Sequence, residues 1–309
     1  MSDYLALLLG VACAGLGGEL FVRGAIGLAH LARVSPGIVG ATVAAFATSS
    51  PELSVSISSA MAGEPQIALG DALGSNVVNV ALILALALAI SGIQSSRESV
   101  KRDFPVALLI PIITGVLFLD GELSRLDGLL MLSMFLTWLA AAVIDARKQR
   151  SAAQSVLGEH RRGRVAVACV AGLMLLVAAG KLIVVGARGL ALAFGLDEFI
   201  IGATIVAIGT SMPELATTII AKLRGHDEIG LGTILGSNIF NGIFIVAIAA
   251  TIHPIVVDWR EVAATLVFGL AALVFTYPSR QGLIERRRGV LLLVLYVAYL
   301  GTILQRPMA

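Results

Sequence analysis

Two glutamates each stand directly behind a proline inside a run of otherwise apolar residues: Ala47-Thr-Ser-Ser-Pro-Glu52 and Gly209-Thr-Ser-Met-Pro-Glu214. Proline has no amide hydrogen, and its ring crowds the carbonyl one turn back, so Pro51 and Pro213 are expected to break their helices and release the carbonyls of Ala47 and Gly209. Beside each break stand hydroxyls, Thr48 and Ser49 in one stretch and Thr210 and Ser211 in the other. A few turns downstream, "GDALGSNVVN" and "GTILGSNIFN" place Ser75 four residues from Asn79 and Ser237 four from Asn241, so each pair projects from one helix face. Carboxylates, hydroxyls, amide oxygens and loose carbonyls are hard oxygen donors, with no His or Cys among them. That set suits calcium or sodium and argues against zinc or copper. A charged acid in mid-helix costs roughly 2.5–3.5 kcal/mol on insertion scales, and intramembrane ionisable residues mark ion paths. Two such acids facing each other are self-consistent only with cations or protons bound between them.

The elements that position these residues are membrane spans. The chain has 309 residues, 58% hydrophobic and 14% charged, with a mean hydropathy of +0.95, far from the roughly 25% charge of a soluble domain. Apolar runs near the ~20 residues of a bilayer crossing are expected at about 4–29, 36–61, 67–92, 104–119, 126–145, 165–192, 198–222, 229–251, 259–277 and 288–304. Asp3 and the lack of a basic start argue against a cleaved signal peptide. Cys13 and Cys169 fall in apolar spans as small buried hydrophobes.

With ten spans, sixteen Lys and Arg residues fall on one side, among them Arg97, Lys101, Arg102, Arg161, Arg162, Arg164 and Arg286 to Arg288, against Arg125, Arg260 and Arg306 on the other. The positive-inside rule then places the basic loops and central linker in the cytoplasm and both termini outside. The same rule makes the basic runs at 161–164 and 285–288 topology determinants that touch anionic lipid. Arg23 and Lys181 are read as snorkelling or paired residues, and His226, Asp227 and Glu228 as a solvated turn.

Residues 36–90 overlay 198–252 at a constant offset of 162 without a gap, which makes the chain a duplication. Each copy holds five spans, an odd number, so the copies enter the membrane from opposite sides. The fold expected is an all-α polytopic membrane protein, ten transmembrane helices in two inverted five-helix repeats. Its units are 1–146, a basic linker 147–164, and 165–309. Such repeats are typical of secondary transporters, with substrate at the midplane. In both copies the third span carries glycines four apart, Gly70 and Gly74, Gly232 and Gly236, a small-residue stripe for close packing.

The doubled [GA]-T-S-x-P-E-L and G-S-N-[IV]-x-N resemble the α-repeats of the cation/calcium exchanger superfamily, in particular the prokaryotic sodium/calcium exchangers, along nearly the whole chain. The resemblance implies a secondary antiporter exchanging Na⁺ for Ca²⁺ by alternating access, an electrogenic extruder of calcium from the cell, in an inner or plasma membrane. Ca²⁺ and Na⁺ would be cargo, with no prosthetic group, no enzymatic activity, no nucleic acid and no obligatory protein partner beyond the bilayer. It implies Glu52 and Glu214 as central ligands, surrounded by the carbonyls of Ala45, Thr48, Ala207 and Thr210. The side chains of Thr48, Ser49, Thr210, Ser211, Ser75, Ser237 and Asn79 complete that set, with Asn241 at the position matching Asn79. A H⁺/Ca²⁺ antiporter and a cation channel are the alternatives.

Three departures stand out. Ala47 replaces a usual glycine, which predicts a stiffer first break. Asp71 occupies a place often held by asparagine, a candidate for the access path. Asn241 stands where several branches carry aspartate, which speaks against potassium co-transport and leaves two formal charges. One Ca²⁺ balances those two, and a third Na⁺ would make the loaded site positive.

Overall fold

The computed structural model describes residues 3–63, 65–97, 99–152, 162–193, 207–256 and 259–304. Apolar sequence and helix-satisfied backbone go together here, since hydrocarbon offers no partner for a loose amide. The described residues form helices α1 (Asp3–Ala32), α2 (Pro36–Thr48), α3 (Ser50–Met61), α4 (Pro65–Ile90), α5 (Phe104–Leu117), α6 (Arg125–Ala152) and α7 (Arg162–Ala193). The second half continues with α8 (Ala207–Thr210), α9 (Met212–Leu223), α10 (Asp227–Ile252), α11 (Trp259–Thr276) and α12 (Arg286–Leu304). Helix α6 runs on through Arg147 to Ala152, and α7 starts at Arg162, so both ends of the basic 147–164 stretch are helical; residues 153–161 lie outside the described residues.

Among the described residues three helices are long and apolar enough to cross a membrane alone: Pro65–Ile90, Arg125–Lys148 and Asp227–Ile252. A fourth candidate joins Leu16–Ala32 to Pro36–Thr48 across a 119° bend, at a turn where Arg33 takes a left-handed φ of 57°. Other runs fall short for physical reasons. The 36–61 run divides at Ser49, α5 is only 14 residues long, and α12 opens on three arginines. The start of the 198–222 run lies outside the described residues.

Helices α4 and α10 are the core. Their spans are 72% and 89% buried inside the protein, whereas that of α6 is 22% buried, so α6 presents Leu126, Leu130 and Leu136 outward as a lipid-facing helix does. An aromatic cluster fixes α6 on α10: Phe135 lies 4.9 Å from Phe240 and 4.8 Å from Phe244 between ring centroids, the tilted contact aromatic rings prefer. Helices α1 and α7 pair through small residues. A Cβ on Gly24 would stand 2.6 Å from the Cys169 amide nitrogen and 2.6 Å from its Sγ, so the half-buried Cys169 is part of this seam.

Two short antiparallel ribbons tie the halves together. Strand β1 (Ile93–Gln94), after α4, pairs with β4 (Leu283–Ile284), before α12. Strand β2 (Glu122–Leu123), before α6, pairs with β3 (Ile255–Val256), after α10. Under the offset of 162, β1 maps onto β3. Helix α5, about 21 Å long at 1.5 Å per residue, separates β1 from β2, so the two ribbons lie at opposite ends of the bundle.

The ends are also locked by charge. Lys222 Nζ donates to both Asp227 carboxylate oxygens at 3.0 Å and to the Gly92 carbonyl at 2.5 Å, and the Gln94 amide donates to Asp227 at 3.3 Å. Asp227, expected in a solvated turn, is thus a clasp between the halves. Arg23 is paired as expected, with Glu19 at 2.6 Å, and Arg224 bonds the same carboxylate. The Lys181 side chain lies outside the described residues.

Candidate functional site

The two breaks form alike. At Ser49 the backbone leaves the helical region with φ −80° and ψ 10°, and at Ser211 with φ −81° and ψ 7°. Helix resumes at Ser50 and Met212, the residues just before the prolines, whose missing amides are orphans in a first turn anyway. The difference between Ala47 and Gly209 leaves no mark on the backbone path of the two breaks. The turn falls at the serine two residues later, so neither Ala47 nor Gly209 needs unusual dihedrals.

The breaks deliver Glu52 and Glu214 to the centre, both with no exposed surface. Their contacts cross between the copies. Ser49 Oγ donates to Glu214 Oε1 at 3.3 Å, and Ser211 Oγ to Glu52 Oε1 at 3.5 Å, the same bond in each copy. Ser237 Oγ donates to Glu214 Oε1 at 2.9 Å, and Thr48 Oγ1 stands 3.4 Å from Ser237 Oγ. Most of these oxygen pairs are well beyond the 2.7–2.8 Å usual for a hydroxyl bond. Adjacent oxygens around a cation at about 2.3–2.6 Å, by contrast, stand about 3.3–3.7 Å apart in an octahedral shell.

Orphaned atoms carry the same message. Among the described residues, Glu52 Oε2, Glu214 Oε2, Asp71 Oδ2, Ser75 Oγ, Asn79 Oδ1 and Asn241 Oδ1 are buried without a hydrogen-bond partner. A buried polar group left unpaired costs about 1–3 kcal/mol, more if charged. None of the ion pairs found among the described residues involves Glu52 or Glu214. A cation bound among these oxygens would satisfy several at once.

The Ala45 and Ala207 carbonyls are less free than the resemblance implied. Ala45 O accepts from the Ser49 amide at 2.9 Å and from Thr48 Oγ1 at 3.3 Å, and Ala207 O from the Ser211 amide at 3.1 Å and Thr210 Oγ1 at 3.2 Å. For either to take a cation, its threonine hydroxyl must turn its proton elsewhere, which a free rotor does readily. Pro51 and Pro213 bear on the site only through the breaks.

The third-span motifs behave asymmetrically. Ser237 reaches Glu214, but its repeat mate Ser75 is buried and unpaired. Asn79 Nδ2 donates to Asn238 Oδ1 at 3.1 Å, whereas neither amide atom of Asn241 has a partner among the described residues. Both asparagines lie in widened π-helical stretches at matching positions, Val78–Leu84 and Phe240–Ile245, a local unwinding frequent at functional sites. Of the glycine stripes, Gly232 and Gly236 press on α2: a Cβ on Gly232 would lie 2.7 Å from the Gly37 carbonyl, and one on Gly236 2.6 Å from the Ala45 Cβ. The matching surface for Gly70 and Gly74, residues 199–203 by the same offset, lies outside the described residues.

Asp71 joins the site rather than standing off it. It is 3% exposed, and Thr210 Oγ1 donates to its Oδ1 at 3.2 Å. Two further pairs escaped the sequence reading. Asn76 Nδ2 donates to the Asn238 carbonyl at 3.1 Å and Asn238 Nδ2 to the Asn76 carbonyl at 3.2 Å, a reciprocal clasp between repeat mates; both belong to the doubled G-S-N, which was the available signal. Ser56 and Thr218, also repeat mates, lie buried and unpaired one turn beyond Glu52 and Glu214. Their signal was the four-residue step that puts them on the glutamates' face. Asn238→Leu is expected to strand the Asn79 amide and destabilise the protein by about 1–3 kcal/mol, read as a lower melting temperature in detergent.

The family model described as sodium/calcium exchanger protein matches residues 2–144 and 164–305, most of the chain. The chain belongs to the sodium/calcium exchanger protein family. This exchanger-family chain is 36% identical over 234 residues to inner membrane protein YrbG of Escherichia coli strain K12, covering 73% of this chain and 72% of that one. It is 28% identical over 344 residues to sodium/calcium exchanger MaX1 of Methanosarcina acetivorans, covering 96% and 97%. Among solved structures it is similar to the sodium-calcium exchanger NCX_Mj soaked with Na⁺ and Sr²⁺, with a TM-score of 0.83 and 29% identity over 99% of each chain. The fold is that of a membrane transporter, and the resemblance stated from the doubled motifs is confirmed.

Proposed function

We propose that the chain is a Na⁺/Ca²⁺ antiporter working by alternating access, and that Glu52 and Glu214 are the central ligands of the exchanged ions. One observation carries the reading: two fully buried carboxylates, one from each copy, are hydrogen-bonded by serines of the opposite copy and left with unpaired oxygens and no basic partner. Thr48, Ser49, Ser75, Asn79, Thr210, Ser211, Ser237 and Asn241, with the carbonyls of Ala45 and Ala207, surround the ions, and Ser56 and Thr218 extend the polar face one turn outward. The relatives named as sodium/calcium exchangers support Na⁺ and Ca²⁺ as the ions.

The architecture we infer is ten spans in two inverted five-helix units, 1–146 and 165–309, joined by 147–164. The reciprocal Asn76–Asn238 bonds and the ribbons at opposite ends of the bundle support the inversion. So does the charge distribution, because the β1–β4 ribbon gathers Arg97, Lys101 and Arg280 around one cleft. That end is cytoplasmic by the positive-inside rule, with both termini outside. Exchange is potassium-independent and electrogenic, and sodium entry drives calcium out.

The test uses purified protein in vesicles loaded with Na⁺ and diluted into Na⁺-free buffer containing radioactive calcium. Calcium uptake that disappears when the Na⁺ gradient is dissipated is the expected result. Uptake that follows an imposed pH gradient and ignores Na⁺ would overturn the coupling.

A further inference from the structure

Resting on the exchanger reading, we propose that Asp71 supplies a third carboxylate to the transport site and, with Thr210 and the Ala207 carbonyl, forms a subsite for a monovalent alkali cation of Na⁺ size. Thr210 Oγ1 lies 3.2 Å from Asp71 Oδ1 and 3.2 Å from Ala207 O. A hydroxyl has one proton and serves one of these acceptors at a time, so the three oxygens converge with less hydrogen than they can use. Both separations from the Thr210 hydroxyl are close to the edge of an octahedral oxygen shell, about 3.3 Å for the shortest cation–oxygen distances. Asp71 Oδ2 is buried and unpaired, an acceptor aimed at nothing else among the described residues. No described ion pair neutralises Glu52, Glu214 or Asp71.

The subsite exists in one copy. The repeat mate of Asp71 is Thr233, whose hydroxyl is spent on the Ile229 carbonyl at 2.8 Å, and the mate of Thr210, Thr48, faces Ser237 instead. Asn241 and its mate Asn79 both carry uncharged amides. A site with three carboxylates holds minus three charges. Three Na⁺ make it neutral, and one Ca²⁺ leaves it at minus one. The voltage-sensitive limb is then the one carrying calcium, whereas with two carboxylates it would be the one carrying sodium.

Asp71→Asn and Asp71→Thr, the latter installing the residue found at the mate position, are assayed in vesicles for Na⁺-driven calcium uptake and for Ca²⁺/Ca²⁺ exchange without Na⁺. In both variants the Na⁺ concentration for half-maximal exchange is expected to rise at least about tenfold, the loss of one charged ligand, and by more than the Ca²⁺ concentration for half-maximal Ca²⁺/Ca²⁺ exchange rises. In the parent, Ca²⁺/Ca²⁺ exchange is expected to change severalfold when about 100 mV is applied, and in the variants to ignore potential. An unchanged Na⁺ dependence in a folded variant, loss of both exchange modes in a folded variant, or voltage-insensitive Ca²⁺/Ca²⁺ exchange in the parent would each overturn the subsite. The parent measurement stands even where a variant fails to fold. Glu214→Gln separates this from the broader reading: if it retains calcium flux the exchanger site itself is wrong, whatever Asp71 does.

Discussion

Vesicles carrying Glu214→Gln are expected to lose Na⁺-driven calcium uptake by about a hundredfold, since a charged ligand is worth up to about 3 kcal/mol to the ion it holds. Glu214 collects two hydroxyls of the cage. Ser49 and Ser237 donate to its Oε1 at 3.3 and 2.9 Å, and its Oε2 is left for a ligand. Glutamine keeps the shape but replaces one oxygen by a donor amide and deletes the charge, so any cation there loses both a ligand and its neutralisation. Glu52→Gln is expected to behave alike, because Ser211 stands to it as Ser49 does to Glu214. Both variants should stay folded, since the hydroxyls are rotors that can turn to accept the new amide. A melting temperature near that of the parent with abolished uptake is the signature; uptake at the parent rate would remove the glutamates from the mechanism.

Gly236→Val is expected to act by another route. Helices α2 and α10 approach so closely that a Cβ at Gly236 would run into the Ala41 carbonyl and the Ala45 Cβ, and one at Gly40 would stand 2.7 Å from the Ile229 carbonyl. Those atoms are backbone or short side chain, so nothing nearby can turn aside. Overpacking of this kind costs about 1–3 kcal/mol or more. It would also push Thr48 away from Ser237, which are 3.4 Å apart one turn further along. Both a lower melting temperature and weaker calcium uptake are expected, with the weakening exceeding that of Asn238→Leu, which leaves the helix spacing intact.

Much of the site was legible because the chain states it twice. The offset of 162 alone predicted that Ser49 and Ser211, Glu52 and Glu214 would occupy matching places, and the bonds Ser49–Glu214 and Ser211–Glu52 are the same bond in the two copies. A single Pro-Glu would have read as a kink beside a stray charge. What the sequence did not carry is where the copies differ in tertiary contact. Periodicity puts Asp71 on the third span but cannot say that its side chain meets Thr210 of the other copy, 139 residues away. Nor does the spacing of Ser75 and Ser237, equal in both copies, foretell that only the second reaches its glutamate.

The π-helical stretches around Asn79 and Asn241 leave no mark in composition, since widening one turn depends on packing rather than propensity. The difference between Ala47 and Gly209 is likewise silent in the backbone, because the chain turns at Ser49 and Ser211 with dihedrals that any residue adopts. Asp227 likewise looked solvated in a polar turn, because the Lys222 side chain that closes on it is positioned by the helix end and the neighbouring ribbon.

The central claim is that one divalent cation is held jointly by Glu52 and Glu214, one glutamate from each copy. Crystals of the protein soaked with Sr²⁺ as a heavier stand-in for Ca²⁺, and measured for anomalous scattering, test it most directly. A single strong peak between the two carboxylates, contacted by oxygens of both and lost in Glu214→Gln, is the predicted result. A peak bound by only one glutamate, or no peak at the centre while calcium transport persists, would contradict it.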